Sequence, residues 1–425
     1  MDTAVTCDRL RWKVRRKMRK EGSVPMEEGL RGPLVGLRVM DIATVYAAPF
    51  AAALLGDYGA DVLKVEMPGI GDPLRELEPF DGEESLVWAA LSRNKRSVTL
   101  DLRKERGQEI FFRLLADQDV LIENFRPGTL DRWGLGIERL REANPDVVVV
   151  RVSGYGQTGP YSEKAGFGTP ATGFSGFAYI TGYPDRPPVL PQVSLADYVT
   201  GLFAALGAMT ALYHRDALGG KAQEVDAALY ESMFRMLETV VTQYDRLGVV
   251  RERSGNELGA SVPAGIFSSK DDKWMVLTTS TDRTFRRLAK LMGRADMVDD
   301  PRYATNRARV RRREEVHGVV ADWFARLPAE EIQRQCDENG VPVSVAYNAA
   351  DIFQDPQYAA RDMLVEVEHP TFGSITVPGV VPKFSKTKGS VRGVGPTLGQ
   401  HNAEVYRGLG LSEDDMKRLR EEGVI

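Results

Sequence analysis

Asp197 is the residue whose setting most suggests chemistry. In Leu195-Ala196-Asp197-Tyr198-Val199-Thr200-Gly201 it stands at the mouth of a long helical pattern, directly after a stretch rich in Gly and Pro. At or near the helix N-cap, its carboxylate would accept backbone N–H bonds worth about 1 kcal/mol, which is a purely structural reading. The same position supports a chemical reading. A helix N-terminus keeps an acid ionised, and Gly201, one turn on, would leave space for a ligand carbonyl. An ionised carboxylate with room in front of it can attack an activated acyl group. Other nucleophile machinery is missing. The four histidines are His214, His317, His369 and His401, none of them at the expected sheet edge, and no G-x-S-x-G elbow, Walker A loop or H-E-x-x-H is present. Gly393-Val394-Gly395 runs into Pro396 instead of a dinucleotide-binding turn. Cys7 and Cys336 form neither a disulfide framework nor a metal-ligand spacing, so no metal site is expected.

The elements that must position Asp197 read as a parallel sheet. Leu37 to Ile42, Asp61 to Met67, Ser97 to Leu102, Asp119 to Phe125 and Asp146 to Ser153 are short runs dense in Val, Leu and Ile, as strands buried on both faces are. Helical patterns separate them, from Pro49 to about Tyr58 and from Glu105 to Ala116, which predicts a doubly wound, Rossmann-like α/β domain. Residues 154 to 192 lack a period and predict a functional loop or linker. Asp197 to Arg215 and Glu224 to Leu247 predict two long helices. After Arg253, shorter β-like segments and amphipathic helices predict a smaller α+β domain. The expected boundaries are a basic tail over 1–30, a large domain over 31–250 completed by 380–425, and a small domain with its linkers over 251–379.

Composition bounds the function. With 425 residues, 43% hydrophobic and 27% charged, the chain is long enough for two globular domains. Lys and Arg number 56 against 60 Asp and Glu, a net charge of -4, so no overall field favours nucleic acid. Arg302, Arg307, Arg309, Arg311, Arg312 and Arg313 read as a solvated helical face or a subunit contact. The apolar runs are shorter than a bilayer requires, so no membrane partner is expected. Two cysteines suit a reducing compartment, read as cytoplasmic. An organellar matrix is the alternative if the basic residues between Arg9 and Lys20 are a transit peptide.

Six ordered blocks carry a family resemblance. They are Leu37-Arg38-Val39-Met40-Asp41 leading through Ala48-Pro49, then Gly59 to Glu66, Asn94 to Leu102, Glu123-Asn124-Phe125-Arg126-Pro127-Gly128, Ser153 to Pro160, and the segment around Asp197. From about residue 32 to the C-terminus the sequence resembles the class III CoA-transferases, the family of formyl-CoA, carnitine and bile-acid CoA-transferases. Ala43 to Phe50, Asp226 to Ser232 and Val381 to Ser385 look closest to the branch that moves CoA from succinyl-CoA to dicarboxylates such as malate or citramalate.

The resemblance implies that Asp197 is a nucleophile passing through an aspartyl anhydride and an aspartyl-CoA thioester. CoA enters as the acyl-CoA substrate, with no prosthetic group. By position, Val45, Tyr46 and Ala47 fall at the thiol end of CoA. Leu100 to Arg103, Asn124, Phe125, Arg126 and Arg132 fall along the pantetheine and nucleotide, and Lys164 joins them with a one-residue shift. Tyr46 stands where oxalate-using members carry glutamine. Gly255 to Pro263 replaces their glycine-rich mobile loop with a bulkier segment, which argues against formyl-CoA and oxalate. The family implies an interlocked, ring-shaped dimer, a homodimer or a heteromer. Alternatives on the same fold are an acyl-CoA racemase, an intramolecular CoA-transferase, and a CoA-binding subunit of a heteromeric transferase. The racemase needs a histidine that the Lys164 to Gly168 region lacks.

Overall fold

The computed structural model describes residues 32–257 and 259–425, so the basic tail expected over 1–30 lies outside the described residues. The chain divides into two compact units. The first takes the described residues up to Phe177 with Pro191–Glu238 and Ala359–Ile425, and the second takes Ala178–Leu190 with Thr239–Tyr358.

The first unit is built on six parallel strands: β1 (Arg38–Asp41), β2 (Asp61–Glu66), β3 (Lys95–Thr99), β4 (Val120–Glu123), β5 (Val148–Ser153) and β6 (Glu224–Ala228), in spatial order β3-β2-β1-β4-β5-β6. Because successive side chains point to opposite faces, each apolar strand feeds two cores. Val39, Val62, Val120 and Val150 pack with helix α1 (Ala47–Asp57) on one side. Met40, Leu63, Leu121 and Val149 pack with Phe111 and Leu115 of α2 (Glu105–Leu115) on the other. The order of strands reverses between β1 and β4, and a crevice at the carboxyl ends of strands is favoured there.

The segment from Glu224 departs from the predicted single helix. Glu224–Ala228 is the edge strand, Leu229–Phe234 is a short helix, and Val240–Leu247 is a separate one. Glu224 and Asp226 mask the strand signal, since acidic residues are poor strand formers. Pairing overrides them: Val225 lies opposite Val150, and Glu224 forms an ion pair with Arg151 at 3.1 Å.

A 22-residue helix, α3 (Leu195–Asp216), buries Ala204, Ala208, Ala211 and Leu212 against this first core. Gly201 does not open space for a ligand, as its position one turn from Asp197 had implied. A side chain there would meet the Ala47 carbonyl oxygen at 2.7 Å and the Phe50 ring at 2.8 Å, so the glycine lets α3 approach α1. Gly201→Ala is therefore expected to overpack this contact and destabilise the fold by about 1–3 kcal/mol, read as a lower denaturant midpoint.

The second unit has a three-stranded antiparallel sheet, with Trp274–Thr278 between Ala264–Ser268 and Val343–Val345. Phe267, Leu277, Leu288, Phe324 and Ile332 form its core with three amphipathic helices. The arginine-rich segment is not one solvated face. Arg309 is fully buried, donates to the carbonyls of Val262 and Tyr303, pairs with Asp282 at 2.9 Å and lies over the Phe285 ring.

Candidate active site

The loop after β1 crosses the point where the strand order reverses, and side chains hold it there. Asn124, just past β4, accepts the Thr44 N–H at 2.9 Å and donates to the Thr44 carbonyl at 2.7 Å. Its amide is thus engaged with backbone, and it shapes the loop. Val45 sits at φ 66°, a left-handed conformation that a β-branched residue adopts only under constraint. Its N–H donates to Asp72 Oδ1 at 2.9 Å. Tyr46 is the N-cap residue of α1 and Ala47 its first, buried, residue.

Asp197 faces this loop from the start of α3. Ser194, not Asp197, is the N-cap residue, and Asp197 is the third residue of the helix. Ser194 makes no side-chain capping bond, and its side chain is hydrogen-bonded to Tyr46. The Asp197 carboxylate rests against the Cα of Gly168, where any Cβ would overlap Oδ2. Burial raises its pKa from the usual carboxylate range to about 6, opposed only by its own backbone N–H. No ion pair to Asp197 forms among the described residues.

Two phenols attend the carboxylate. Tyr46 is pushed up mainly by burial, with the Ser194 hydrogen bond opposing and the Asp197 charge adding. Tyr198 is pushed up by burial and by the nearby Tyr46 and Asp197. Both therefore keep their protons as donors. Tyr198 meets Phe50 edge to face at 4.9 Å and Tyr46 at 6.2 Å. A cavity of about 760 Å³ opens beside them, lined by Tyr46, Ser194, Tyr198 and Thr169, with Leu86 and Val87 on an apolar wall. Arg93 also lines it, with its guanidinium held by Asp57. A basic carboxylate, two hydroxyl donors and a roomy apolar cavity can together accept an acyl group and support its developing oxyanion.

The other residues singled out in the sequence lie along the carboxyl ends of the strands. Leu100 is buried in the second core. Arg103 is exposed and bonded to Asp101 through Nε and Nη2, both at 2.9 Å. Phe125 packs on Trp133 at 4.9 Å. Arg126 and Arg132 are exposed, with Arg132 donating to Thr129 Oγ1 at 2.8 Å, and Lys164 lies 3.3 Å over the Tyr161 ring. Of the whole set, Tyr46 lies near Asp197, with Val45 and Ala47 beside it in the chain and Asn124 holding the same loop through Thr44. No hydrogen bond or ion pair links Arg103, Arg126, Arg132 or Lys164 to Asp197.

Sequence reasoning gave no role to Gly168, Ser194 or Tyr198; Ser194 and Tyr198 are close to Asp197 in the chain, whereas the fold brings Gly168 to the carboxylate. The same reasoning also passed over buried charges beneath the β1 loop. Those had a visible signal, since Lys64 interrupts the apolar run Val62-Leu63-Val65 within its strand. Among the described residues, no cluster of His, Cys, Asp and Glu could hold a metal ion.

Known proteins share this architecture. The family model for CoA-transferase family III matches residues 34–402. Succinyl-CoA–D-citramalate CoA-transferase of Chloroflexus aurantiacus is 43% identical over 92% of this chain and 98% of its own length. The beta subunit of succinyl-CoA–L-malate CoA-transferase from the same organism is 44% identical over 92% and 98%. The crystal structure of a CaiB/BaiF family protein from Brucella suis superposes with a TM-score of 0.78 at 34% identity, covering 89% of this chain and all of that one. A match that spans the sheet, the Asp197 helix and the second unit makes the assignment plain: the chain belongs to CoA-transferase family III.

Proposed function

We propose that the protein moves CoA from succinyl-CoA to a dicarboxylic acid of the malate or citramalate type, with Asp197 as covalent nucleophile. A carboxylate oxygen of Asp197 attacks the thioester carbonyl, the C–S bond breaks, and CoA leaves as thiolate from an aspartyl–succinyl anhydride. The thiolate then attacks the aspartyl carbonyl, giving an aspartyl-CoA thioester and releasing succinate. The acceptor carboxylate attacks that thioester, and the same two steps in reverse deliver CoA to it. Each step exchanges one anion for another, so no proton needs to move. This suits a site whose nucleophile has no imidazole beside it.

One observation carries the reading: the half-buried Asp197 carboxylate, without an ion pair among the described residues and with its pKa raised to about 6, sits near two protonated phenols that line a roomy cavity. Tyr46 and Tyr198 would donate to the anhydride and thioester oxyanions. Arg93, in the cavity wall, would meet a distal carboxylate only by leaving its contacts with Asp57 and the Pro378 carbonyl. The names of the Chloroflexus relatives support the choice of donor and acceptor. Assembly with a second copy or a related chain is part of the same reading. Leu202, Leu206 and Tyr213 form an exposed apolar stripe along α3, and relatives are named as alpha and beta subunits.

The test is mass spectrometry of the protein after incubation with succinyl-CoA. CoA is expected in thioester linkage on the peptide containing Asp197, discharged by malate or citramalate. Turnover with no adduct at that peptide would refute the mechanism.

A further inference from the structure

The loop that faces Asp197 rests on buried charges. Asp41, Lys64, Asp72 and Lys95 are all 5% exposed or less. Lys64 Nζ lies 2.9 Å from Asp72 Oδ2 and 3.7 Å from Asp41 Oδ1, and it donates to the Ala43 carbonyl. Lys95 Nζ lies 2.8 Å from Asp41 Oδ2 and donates to the Pro49 carbonyl, in the first turn of α1, at 2.7 Å. The two carboxylates receive the loop's amides: Ala43 N–H reaches Asp41 Oδ1 at 3.1 Å, and Val45 N–H reaches Asp72 Oδ1 at 2.9 Å. Asp72 is anchored from behind, its own N–H donating to Glu66 Oε2, which also takes Arg75 Nε at 2.8 Å.

Together with Asn124 on Thr44, this network satisfies both polar groups of Ala43 and Thr44 and the N–H of Val45. Its two positive and two negative charges balance, so it is neutral as a unit. Buried ion pairs generally do no better for stability than apolar residues of similar volume. What this one does visibly is fix five backbone groups and leave Val45 in a left-handed conformation that strains a β-branched residue. Tyr46, the next residue, makes the contacts with Ser194 and Tyr198 beside the nucleophile.

We infer that Lys64 and Asp72 are positioning residues for the transfer reaction: their ion pair holds Val45 in its left-handed conformation and thereby sets Tyr46 against Asp197. A displacement of about 1 Å at a reacting centre can cost on the order of 100-fold in rate. The inference rests on the transferase reading of Asp197.

The test measures the rate of CoA loading onto the Asp197 peptide from succinyl-CoA, together with CoA affinity by calorimetry. Lys64→Met is expected to slow loading on the order of 10–100-fold while CoA affinity stays within about twofold. Adding Val45→Gly, which takes a positive φ without strain, is expected to restore loading at least about fivefold in the Lys64→Met background. A merely structural role predicts no such rescue, because the glycine refills nothing that the lysine left. Parent-like loading in Lys64→Met, or a double variant as slow as the single one, overturns the inference. Should Lys64→Met prove insoluble, Asp72→Asn replaces it in both measurements. It keeps an acceptor for the Val45 N–H but turns a donor toward the Lys64 ammonium. Absence of the adduct in the parent protein would instead bring down the transferase mechanism, so the two failures are distinct.

Discussion

Asp197→Asn is expected to abolish CoA exchange, with a loss on the order of 10⁴-fold or more, and at the same time to raise stability at pH 8. The first effect follows because the amide cannot form the anhydride, while the CoA-binding surface is untouched. The second follows from the carboxyl's environment. Folding raises its pKa to about 6, so the native state holds this proton more tightly than the unfolded chain does. A raised value favours the native state at low pH, and the advantage is lost as pH climbs from about 4 to about 6. Above that window the ionised, half-buried carboxylate costs about 1–3 kcal/mol, which asparagine does not incur. Unfolding curves of parent and variant should therefore differ at pH 8 and converge below pH 4. The loading rate of the parent should rise with pH to a plateau above about 6, because only the anion is nucleophilic. Equal stability at both pH values would mean that the carboxylate is not buried as described.

Gly168→Ala is expected to lower turnover on the order of 100-fold while leaving the protein folded and CoA affinity close to that of the parent. The new methyl group falls on Asp197 Oδ2, at the free end of a side chain, and backbone is not among its close neighbours. The fold can accommodate the methyl by rotating the carboxylate, and that rotation moves the attacking oxygen. Steady-state kinetics should show the loss in kcat with KM for the acyl-CoA little changed. A loss confined to KM would place Gly168 at a binding contact instead. Gly168→Ser should behave in the same way, since the clash arises at Cβ.

Much of the framework is legible in the residues. Most of the strands stand out because strands covered on both faces are rich in apolar residues, and Val148–Ser153 or Val120–Glu123 could scarcely be anything else. Asp197 is legible because an acid at the start of a long apolar helix contrasts with everything after it. The sixth strand was hidden because Glu224 and Asp226 are tolerated only at an edge, and an edge exists only once the sheet is assembled. Gly201 illustrates the same limit. A glycine near a candidate nucleophile reads equally as room for substrate or as room for a neighbouring helix, and only the packing of α3 on α1 chooses the second.

The sequence by itself determined the family and the parallel sheet and singled out Asp197 as the acid proposed to react, because these depend on local pattern and on the types of residue present. Tertiary structure alone decided how that acid is tuned. Its raised pKa comes from burial, and its position comes from contact with Gly168, 29 residues away in the chain. The strained turn opposite is held by Asp72 and Asn124, which reach it from different loops. Desolvation and strain are properties of what surrounds a group in space, and no spacing along a chain encodes them directly.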